Sequence, residues 1–433
     1  MSQSIEITPA AGPIVATVRP PGSKSITNRA LVCAALAAGD SRLTGALDSE
    51  DTRVMIESLR RLGINVQAHD EASVLEVTGC GGRIAAQDAE LFVANSGTTI
   101  RFLTALAALG HGRVRLAGVE RMNQRPIQDL LDALAALGAD VQSEANDGCP
   151  PVRVQADGLP GGRAQIRGEI SSQYLSGLLM AAPYARSAVE LDVQGSLVSQ
   201  PYVQMTLDVM AAFGVDVRTG TAMESFRVPN NRGYRSCKYA IEPDASAASY
   251  FFAAAAITGG RVTVEGLSLG SMQGDVAFCT CLEQMGCEVQ YNRDSITVVG
   301  GPLRGVDVNM NKISDTVQTL AAVALFAEGA TRVTGVAHNR HKETDRIGDL
   351  ATELRKLGAT VEEHHDGLTI APRTLQAAEI ETYRDHRMAM SLALVGLRQP
   401  GVVIRDPGCT EKTYPHFFRD LARLTGCPET GSP

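Results

Sequence analysis

The 433-residue chain lacks a long apolar run, and this absence limits where the protein can work. Its longest apolar stretches, such as residues 251–257, are far shorter than a membrane-spanning helix, which needs about 20 residues. The N-terminus has no basic segment followed by an apolar one, so the sequence predicts no signal peptide. We therefore expect a cytoplasmic protein with no membrane partner.

Paired cysteine spacing is also missing. The nine cysteines are odd in number, and the closest two, Cys279 and Cys281, have a spacing that fits no zinc or redox motif. We therefore expect reduced thiols and neither a metal ion nor another cofactor. A surplus of basic residues is absent as well, since 40 Lys and Arg face 48 Asp and Glu, a net charge of −8. This balance argues against nucleic acid as a partner, but a local cluster of cations can still bind small anions.

One pattern recurs along the chain: the end of an amphipathic helix, a glycine, then a strand. A glycine just past a helix is typical of a left-handed residue that ends the helix. The six glycines lie 68 to 76 residues apart, the last copy being frayed, and they are Gly63, Gly138, Gly214, Gly286, Gly358 and Gly426.

A second marker runs in phase with these glycines. Short polar clusters each precede a strongly apolar segment, and they begin near Lys24, Asn95, Ser171, Asp244, Ser314 and Asp385. A helix that is apolar almost all round is buried. The amphipathic helix of each copy follows; one example starts with Pro126 in its first turn and has an apolar stripe from Ile127 to Leu137. The chain therefore reads as six copies of a roughly 70-residue unit, whose length favours a closed arrangement over an open solenoid.

The starts of the six buried helices are candidate anion sites, because exposed N–H groups and the helix dipole attract negative charge there. Residues 21–29 combine Lys24 and Ser25 at one such start with Arg29 one turn later. This segment lacks the spacing of a nucleotide-binding P-loop, so a kinase or ATPase is not predicted. A phosphate clamp is the better interpretation.

Ten segments, in order from end to end, resemble the 5-enolpyruvylshikimate-3-phosphate synthase family of enolpyruvyl transferases. They are residues 21–29, 95–101, 125–127, 171–175, 199–202, 244–246, 315, 342–346, 385–390 and 412–413. The resemblance implies an α/β (α+β) fold of two domains, each with three βαβαββ repeats around a pseudo-threefold axis and buried central helices, an inside-out barrel. It implies a first domain at 23–240, mainly for shikimate 3-phosphate, and a second, discontinuous one at 1–22 plus 241–433. The active site is expected in the cleft between them.

The resemblance also implies an activity: transfer of the carboxyvinyl group of phosphoenolpyruvate to the 5-hydroxyl of shikimate 3-phosphate, through a tetrahedral ketal. This is a step of the shikimate pathway to chorismate and aromatic amino acids, and the family is the target of glyphosate. A monomer is expected.

The site residues are carried over by position. Shikimate 3-phosphate is expected at Lys24, Ser25, Arg29, Ser171, Ser172, Gln173, Ser199, Tyr202, Asp315, His338 and Lys342. Phosphoenolpyruvate is expected at Lys24, Asn95, Gly97, Arg125, Gln173, Arg346, Arg387 and Lys412. For catalysis, Asp315 is expected to take the hydroxyl proton, Glu343 or Lys24 to protonate the methylene carbon, and His386 to assist the departing phosphate.

Some residues admit a structural interpretation instead. Arg29, Arg101 and Asp51 fit structural ion pairs equally well, and Asp244 and Asp385 fit helix caps. His338 stands where relatives often have Asn, which leaves its substrate contact open.

The sequence also allows two alternatives to this function. UDP-N-acetylglucosamine enolpyruvyl transferases usually carry a cysteine five residues before the arginine at 125, where this chain has Glu120. A non-catalytic anion-binding repeat protein gains nothing from the carboxylates Asp315 and Glu343.

Overall fold

The computed structural model describes residues 4–70, 73–230 and 232–426. The chain divides into two compact units. The 22–241 unit is continuous, whereas the discontinuous unit joins residues 1–21 to residues 242–433. Residues 1–3 and 427–433, at the ends of the second expected domain, lie outside the described residues, as does any strand after Gly426.

Twelve α-helices occur in the described residues, and they alternate between two kinds. Six are buried along almost their whole length: α1 (Lys24–Leu36), α3 (Gly97–Ala107), α5 (Ser172–Ala181), α7 (Ala245–Thr258), α9 (Val317–Ala324) and α11 (His386–Ala393). Six have an exposed face: α2 (Glu50–Arg61), α4 (Gln128–Ala136), α6 (Gln200–Ala212), α8 (Phe278–Met285), α10 (Gly348–Lys356) and α12 (Phe417–Leu424). The predicted alternation of buried and amphipathic helices is confirmed.

The strands of the 22–241 unit form three four-stranded sheets. These strands are β3 (Ala38–Thr44), β4 (Asn65–His69), β5 (Val74–Cys80), β6 (Asp88–Phe92), β7 (His111–Ala117), β8 (Asp140–Ser143), β9 (Val152–Asp157), β10 (Gly162–Arg167), β11 (Val189–Gln194), β12 (Arg218–Thr219), β13 (Ser225–Val228) and β14 (Lys238–Ala240). The sheet orders are β14-β3-β5-β4, β6-β7-β9-β8 and β10-β11-β13-β12. In each sheet the first pair is parallel and the other two pairs are antiparallel.

The discontinuous unit follows this plan in two of its sheets, whereas its third sheet has three strands in the described residues. Its strands are β1 (Ser4–Glu6), β2 (Val15–Val18), β15 (Arg261–Glu265), β16 (Glu288–Tyr291), β17 (Ser295–Val299), β18 (Asp307–Asn309), β19 (Thr331–Thr334), β20 (Thr360–His364), β21 (Gly367–Ala371), β22 (Ala378–Ile380) and β23 (Val402–Arg405). They form the sheets β16-β17-β15-β2, β18-β19-β21-β20 and β1-β23-β22. Strand β2 pairs with β15 in parallel register, Val15 opposite Arg261, so the N-terminal segment completes this unit.

Helix ends in both units follow the predicted glycine rule. The glycines at 63, 138, 214, 286, 358 and 426 all have positive φ, from 70° to 111°. A residue with a Cβ rarely adopts this backbone, which is why glycine recurs there. The prediction of left-handed helix ends is therefore confirmed. After Gly214, however, strand β12 begins only at Arg218, where its pairing with β13 starts.

Five of the six buried helices begin at or beside the predicted polar clusters and are capped by a side chain, which confirms the cap interpretation of Asp244 and Asp385. The side chains of Ser23, Ser96, Ser171, Asp244 and Asp385 each accept a hydrogen bond from a first-turn backbone N–H. The cluster 314–316 is different, because it lies in a 3₁₀ turn, Asn311–Thr316, and α9 begins only at Val317. The amphipathic helix α4 also begins later than predicted, at Gln128, so Pro126 precedes it instead of lying in its first turn.

No helix in the described ranges is long and apolar enough to cross a membrane.

Candidate active site

An ion pair orients the lysine at the start of α1. The Nζ atom of Lys24 lies 3.2 Å from Oδ2 of Asp51, which is buried near the start of α2. Ser23 caps the same helix by accepting a hydrogen bond from the Ile26 N–H. Asp51 therefore forms the structural ion pair that the sequence left open, and its partner is a predicted substrate residue.

Arg29 is buried one turn further along α1. Its guanidinium donates to three neutral oxygens: Thr206 Oγ1 at 2.7 Å, Ser25 O at 2.9 Å and Tyr202 O at 3.0 Å. The charge also lies over the ring of Phe102, 5.3 Å from its centre. Burial lowers the pKa of Arg29 to about 10. These contacts join α1 to α6, and the neutral partners replace the ion pair considered from the sequence. A contact between Arg29 and substrate stays a prediction.

Two arginines lie tightly against the start of α3. Arg125 is buried, and its Nη1 atom donates to the backbone oxygen of Asn95 at 3.1 Å and to its Oδ1 at 3.4 Å. A Cβ atom on Gly97 would lie 2.6 Å from Nη2 of Arg125 and 2.9 Å from Nη1 of Arg101. Real Cβ atoms essentially never approach so closely, so a larger residue at position 97 would have to displace these guanidinium groups.

Gln173 joins the starts of α5 and α3. Its Oε1 accepts from Arg101 Nη1 at 2.6 Å, and its Nε2 donates to Thr98 Oγ1 at 3.3 Å. The guanidinium of Arg101 also lies 5.2 Å from the ring centre of Tyr174. Arg101 thus bridges two helix starts through neutral contacts, and both polar atoms of the Gln173 amide bind protein groups.

The serines predicted to hold a phosphate lie at two helix starts. Ser171 caps α5 by accepting from the backbone N–H of Gln173 at 3.3 Å, and Ser172 begins the helix. Ser199 precedes α6 in a left-handed conformation with φ of 52°, which is uncommon for a residue with a side chain. Tyr202 follows in the first turn of α6 and is partly exposed. Hydroxyls beside helix N-termini provide both donors and a positive dipole end for an anion.

The discontinuous unit carries a second cluster around Asp315. Its Oδ2 accepts from Arg387 Nη2 at 2.8 Å, while Oδ1 lies 3.4 Å from Arg346 Nη1 and 3.8 Å from Lys342 Nζ. The carboxylate retains some exposure, whereas Arg346 is almost fully buried. Three cations therefore lie beside one partly exposed carboxylate.

Arg346 is the centre of this network. Nε and Nη2 bind the two carboxylate oxygens of Asp385 at 2.6 and 3.1 Å, and Nη2 also lies 2.9 Å from Glu343 Oε2. Burial alone disfavours its charge, but the carboxylates of Asp385, Glu343 and Asp315 outweigh burial and raise the pKa of Arg346. Asp385 also caps α11 through the backbone N–H of Arg387. It is therefore both a helix cap and an arginine partner.

The remaining basic groups lie around the same carboxylates. Lys412, at the end of the 3₁₀ turn Pro407–Lys412, lies 3.9 Å from Glu343. His386 Nδ1 lies 3.7 Å from Asp385 Oδ1. Counting Lys342, Arg346, Arg387 and Lys412 against Asp315, Glu343 and Asp385, four cations face three carboxylates, and this surplus of one positive charge favours an anionic ligand.

His338 lies in the 3₁₀ turn Ala337–His341 of the same unit and is 4% exposed. Burial, aided by the nearby Lys342, lowers its pKa from 6.5 to about 3. The imidazole is therefore neutral at physiological pH. A neutral ring can still donate or accept one hydrogen bond.

Comparison with known proteins places the whole chain in one family. The profile of the EPSP synthase family, 3-phosphoshikimate 1-carboxyvinyltransferase, matches residues 9–421. A relative of that name from Nostoc punctiforme is 50% identical over 417 residues, and the match covers 96% of this chain and 97% of the relative's length. The chloroplastic relative from Arabidopsis thaliana is 48% identical, and the match covers 94% of this chain and 82% of the relative's length.

The solved structure of EPSP synthase from Acinetobacter baumannii superimposes with a TM-score of 0.82 at 26% identity, covering 98% of both chains. The chain belongs to the EPSP synthase family. Its fold is the two-domain, inside-out α/β fold of EPSP synthases, as the resemblance implied. Because the relatives carry the name 3-phosphoshikimate 1-carboxyvinyltransferase, the UDP-N-acetylglucosamine alternative is not favoured.

Within this EPSP synthase family member, the predicted site residues fall into two clusters, one in each unit. The 22–241 unit holds Lys24, Ser25, Arg29, Asn95, Gly97, Arg125, Ser171, Ser172, Gln173, Ser199 and Tyr202. The discontinuous unit holds Asp315, His338, Lys342, Glu343, Arg346, His386, Arg387 and Lys412. The roles of these residues remain predictions. In the described ranges, no group of three or more His, Cys, Asp and Glu side chains is arranged to hold a metal ion.

The sequence did not single out two neighbours of these clusters. Tyr250 on α7 lies with its hydroxyl 3.5 Å from Arg387 Nη1, and burial raises its pKa to about 12. Thr206 on α6 accepts from Arg29 and donates to Ser176 at 2.9 Å. Tyr250 is hidden in the apolar run of a buried helix, so its only sequence signal is a hydroxyl among alanines and phenylalanines.

Proposed function

We propose that this chain transfers the enolpyruvyl group of phosphoenolpyruvate to the 5-hydroxyl of shikimate 3-phosphate and releases phosphate. Both substrates are small anions with phosphate and carboxylate groups, and the cations and hydroxyls of both clusters suit such groups. The observation that carries the proposal is the contact of Asp315 with Arg387, Arg346 and Lys342. We assign this carboxylate as the general base and these cations to the anionic substrates. The family profile and the relatives support the same reaction.

Shikimate 3-phosphate is assigned mainly to the cluster in the 22–241 unit, which corresponds to the proposed first domain at 23–240. The hydroxyls of Ser171, Ser172 and Ser199 suit its phosphate, because they lie at the starts of α5 and α6. Lys24 supplies a positive charge that Asp51 keeps in one orientation. The assignment also includes four residues of the same cluster, Ser25, Arg29, Gln173 and Tyr202. It is completed by Asp315, His338 and Lys342.

Phosphoenolpyruvate is assigned to the arginines. Arg125 presents its guanidinium against the start of α3, while Arg346 and Arg387 share the carboxylate of Asp315. Guanidinium groups bind carboxylate and phosphate through two parallel hydrogen bonds, which fixes the ligand as well as attracting it. The residues assigned to phosphoenolpyruvate also include Lys24, Lys412, Asn95, Gly97 and Gln173.

The proton steps follow from the carboxylates. Asp315 takes the proton of the 5-hydroxyl as that oxygen bonds to the enol carbon of phosphoenolpyruvate. Glu343 or Lys24 gives a proton to the methylene carbon, which yields the tetrahedral ketal. The resulting methyl group then loses a proton as the bond to the phosphate oxygen breaks, so the double bond re-forms and phosphate leaves. His386 is assigned to the departing phosphate.

A phosphate-release assay tests the proposal. Purified protein with phosphoenolpyruvate should release phosphate when shikimate 3-phosphate is added, and not with either substrate alone. Excess chelator should leave the rate unchanged. The proposal is wrong if UDP-N-acetylglucosamine is the better acceptor or if no acceptor supports turnover. We further propose that the enzyme acts as a cytoplasmic monomer, and analytical ultracentrifugation at assay concentration tests its oligomeric state.

A further inference from the structure

A buried carboxylate outside the proposed site holds two elements of the discontinuous unit together. Glu353 on α10 is 0% exposed. Its Oε1 accepts from the Tyr383 hydroxyl at 2.7 Å, and its Oε2 accepts from the backbone N–H of Glu381 at 3.1 Å. Lys356 Nζ lies 2.8 Å from Oε2 and balances the charge. Burying a carboxylate is costly unless it is paired with a cation and hydrogen-bonded. These partners therefore hold the Glu353 side chain in place.

The segment that Glu353 holds has a strained backbone. Tyr383 and Arg384 have φ angles of 53° and 55°, two consecutive left-handed residues that are not glycine. Such residues persist only where the surroundings impose the conformation. The backbone N–H of Asp385 donates to Thr382 O at 2.8 Å and closes the turn. The turn ends at Asp385. This residue accepts a hydrogen bond from Arg346 and caps α11, the helix that carries Arg387.

Glu353 therefore joins the same two segments as the Arg346–Asp385 pair. Arg346 lies two residues before the start of α10, on which Glu353 lies. Asp385 lies two residues after Tyr383 in the chain. The Arg346–Asp385 connection lies inside the proposed site, whereas the connection from Glu353 to Tyr383 and Glu381 lies outside it. Loss of the outer connection lets the turn relax, and Asp385 can then no longer hold both arginines in one place.

We propose that Glu353 is a positioning residue: through Tyr383 and the Glu381 N–H it sets the left-handed turn that aligns Arg346 and Arg387 for phosphoenolpyruvate. The inference rests on the proposed function of these two arginines. Burial, together with the hydrogen bond to Glu353, raises the pKa of the Tyr383 hydroxyl, so it donates throughout the physiological range.

The test compares Glu353→Ala with Leu354→Ala, its neighbour on α10. Leu354 is also 0% exposed, so its truncation weakens the packing of the same helix but leaves the connection to Tyr383 intact. Steady-state rates should show the phosphoenolpyruvate KM of Glu353→Ala raised about tenfold, the factor for one charge-assisted hydrogen bond. The KM for shikimate 3-phosphate should stay within about twofold, since its proposed phosphate contacts lie in the other unit. Leu354→Ala should lower the melting temperature with the phosphoenolpyruvate KM unchanged.

Tyr383→Phe keeps the test decisive if Glu353→Ala does not fold. It removes one hydroxyl, retains the ring, and should raise the phosphoenolpyruvate KM roughly threefold or more. An unchanged KM in Tyr383→Phe, or an equal rise in Leu354→Ala and Glu353→Ala, overturns the positioning role. Absence of turnover in the wild-type protein instead refutes the proposed function, so the two failures are distinguishable.

Discussion

Replacing Gly97 by alanine is the smallest change that should disturb the proposed phosphoenolpyruvate contacts. The added Cβ atom would lie 2.6 Å from Arg125 Nη2, about 0.8 Å closer than the 3.4 Å at which ordinary contact begins. Arg125 cannot turn into solvent easily, because it is 3% exposed and donates to the Asn95 carbonyl. We therefore expect the guanidinium to shift and lose its alignment with the ligand.

The loss should appear in substrate affinity and not in stability. A hydrogen bond to a charged group contributes roughly 1.5–3 kcal/mol, so the phosphoenolpyruvate KM should rise about ten- to a hundredfold. Alanine is the better helix former by about 1 kcal/mol, which offsets part of the strain in the first turn of α3. The melting temperature should therefore change by no more than about 5 °C.

The assay is phosphate release at saturating shikimate 3-phosphate with phosphoenolpyruvate varied. Gly270→Ala is the matched control, because a Cβ atom there would meet nothing closer than the Ser268 hydroxyl at 3.6 Å. If Gly97→Ala has the phosphoenolpyruvate KM of the wild type, Arg125 either accommodates the methyl group or does not bind that substrate, and the argument fails.

Two further substitutions separate chemistry from structure. Asp315→Asn keeps the shape of the side chain but removes the base, so the turnover rate should fall about 10²–10⁴-fold. Calorimetry should show that shikimate 3-phosphate still binds this variant, and a normal rate with weaker binding would make Asp315 a ligand contact only. His338 has a folded-state pKa of about 3, below its ordinary 6.5, so the unfolded state gains its proton first as the pH falls. The stability from the neutral ring is complete above pH 6.5 and is lost as the pH falls toward 3, by at most roughly 3 kcal/mol at pH 4. Urea unfolding at pH 7 and pH 4 should therefore show a smaller acid loss for His338→Asn than for the wild type, and equal losses would contradict the reasoning.

The repeat pattern was predictable because it depends on local chemistry. A helix ends at a left-handed residue wherever a glycine follows its last turn, and all six marker glycines have positive φ. The helix starts were equally readable, since a serine or aspartate that caps a helix does so through its own near neighbours. The strands that complete each unit depend on distant pairing, and spacing alone did not reveal that β2 pairs with β15.

The partners of the site residues were harder to predict, because they are separated by long stretches of chain. Arg29 fitted a structural ion pair in the sequence, but its Nε bonds to Thr206, 177 residues away, a hydroxyl that nothing marked. Nothing in the sequence singled out Glu353, yet it is fully buried against a turn. Composition cannot distinguish an exposed glutamate from one that is buried and paired.

The contrast between Asp315 and Asp385 shows why equivalent positions in a repeat can take different roles. Both belong to the polar clusters that precede buried helices. Asp385 caps α11, because its Oδ1 accepts a hydrogen bond from the Arg387 N–H. Both of its carboxylate oxygens also accept from Arg346. Asp315 lies instead in a 3₁₀ turn, and it contacts the cations of Arg387, Arg346 and Lys342. A carboxylate committed to a cap and a buried arginine is poorly suited to exchange a proton, because doing so breaks both contacts. A partly exposed carboxylate is better suited, because a hydroxyl can approach it without breaking a helix cap. The departure of the 314–316 cluster from the capping pattern therefore supports the proposal that Asp315, and not Asp385, acts as the base.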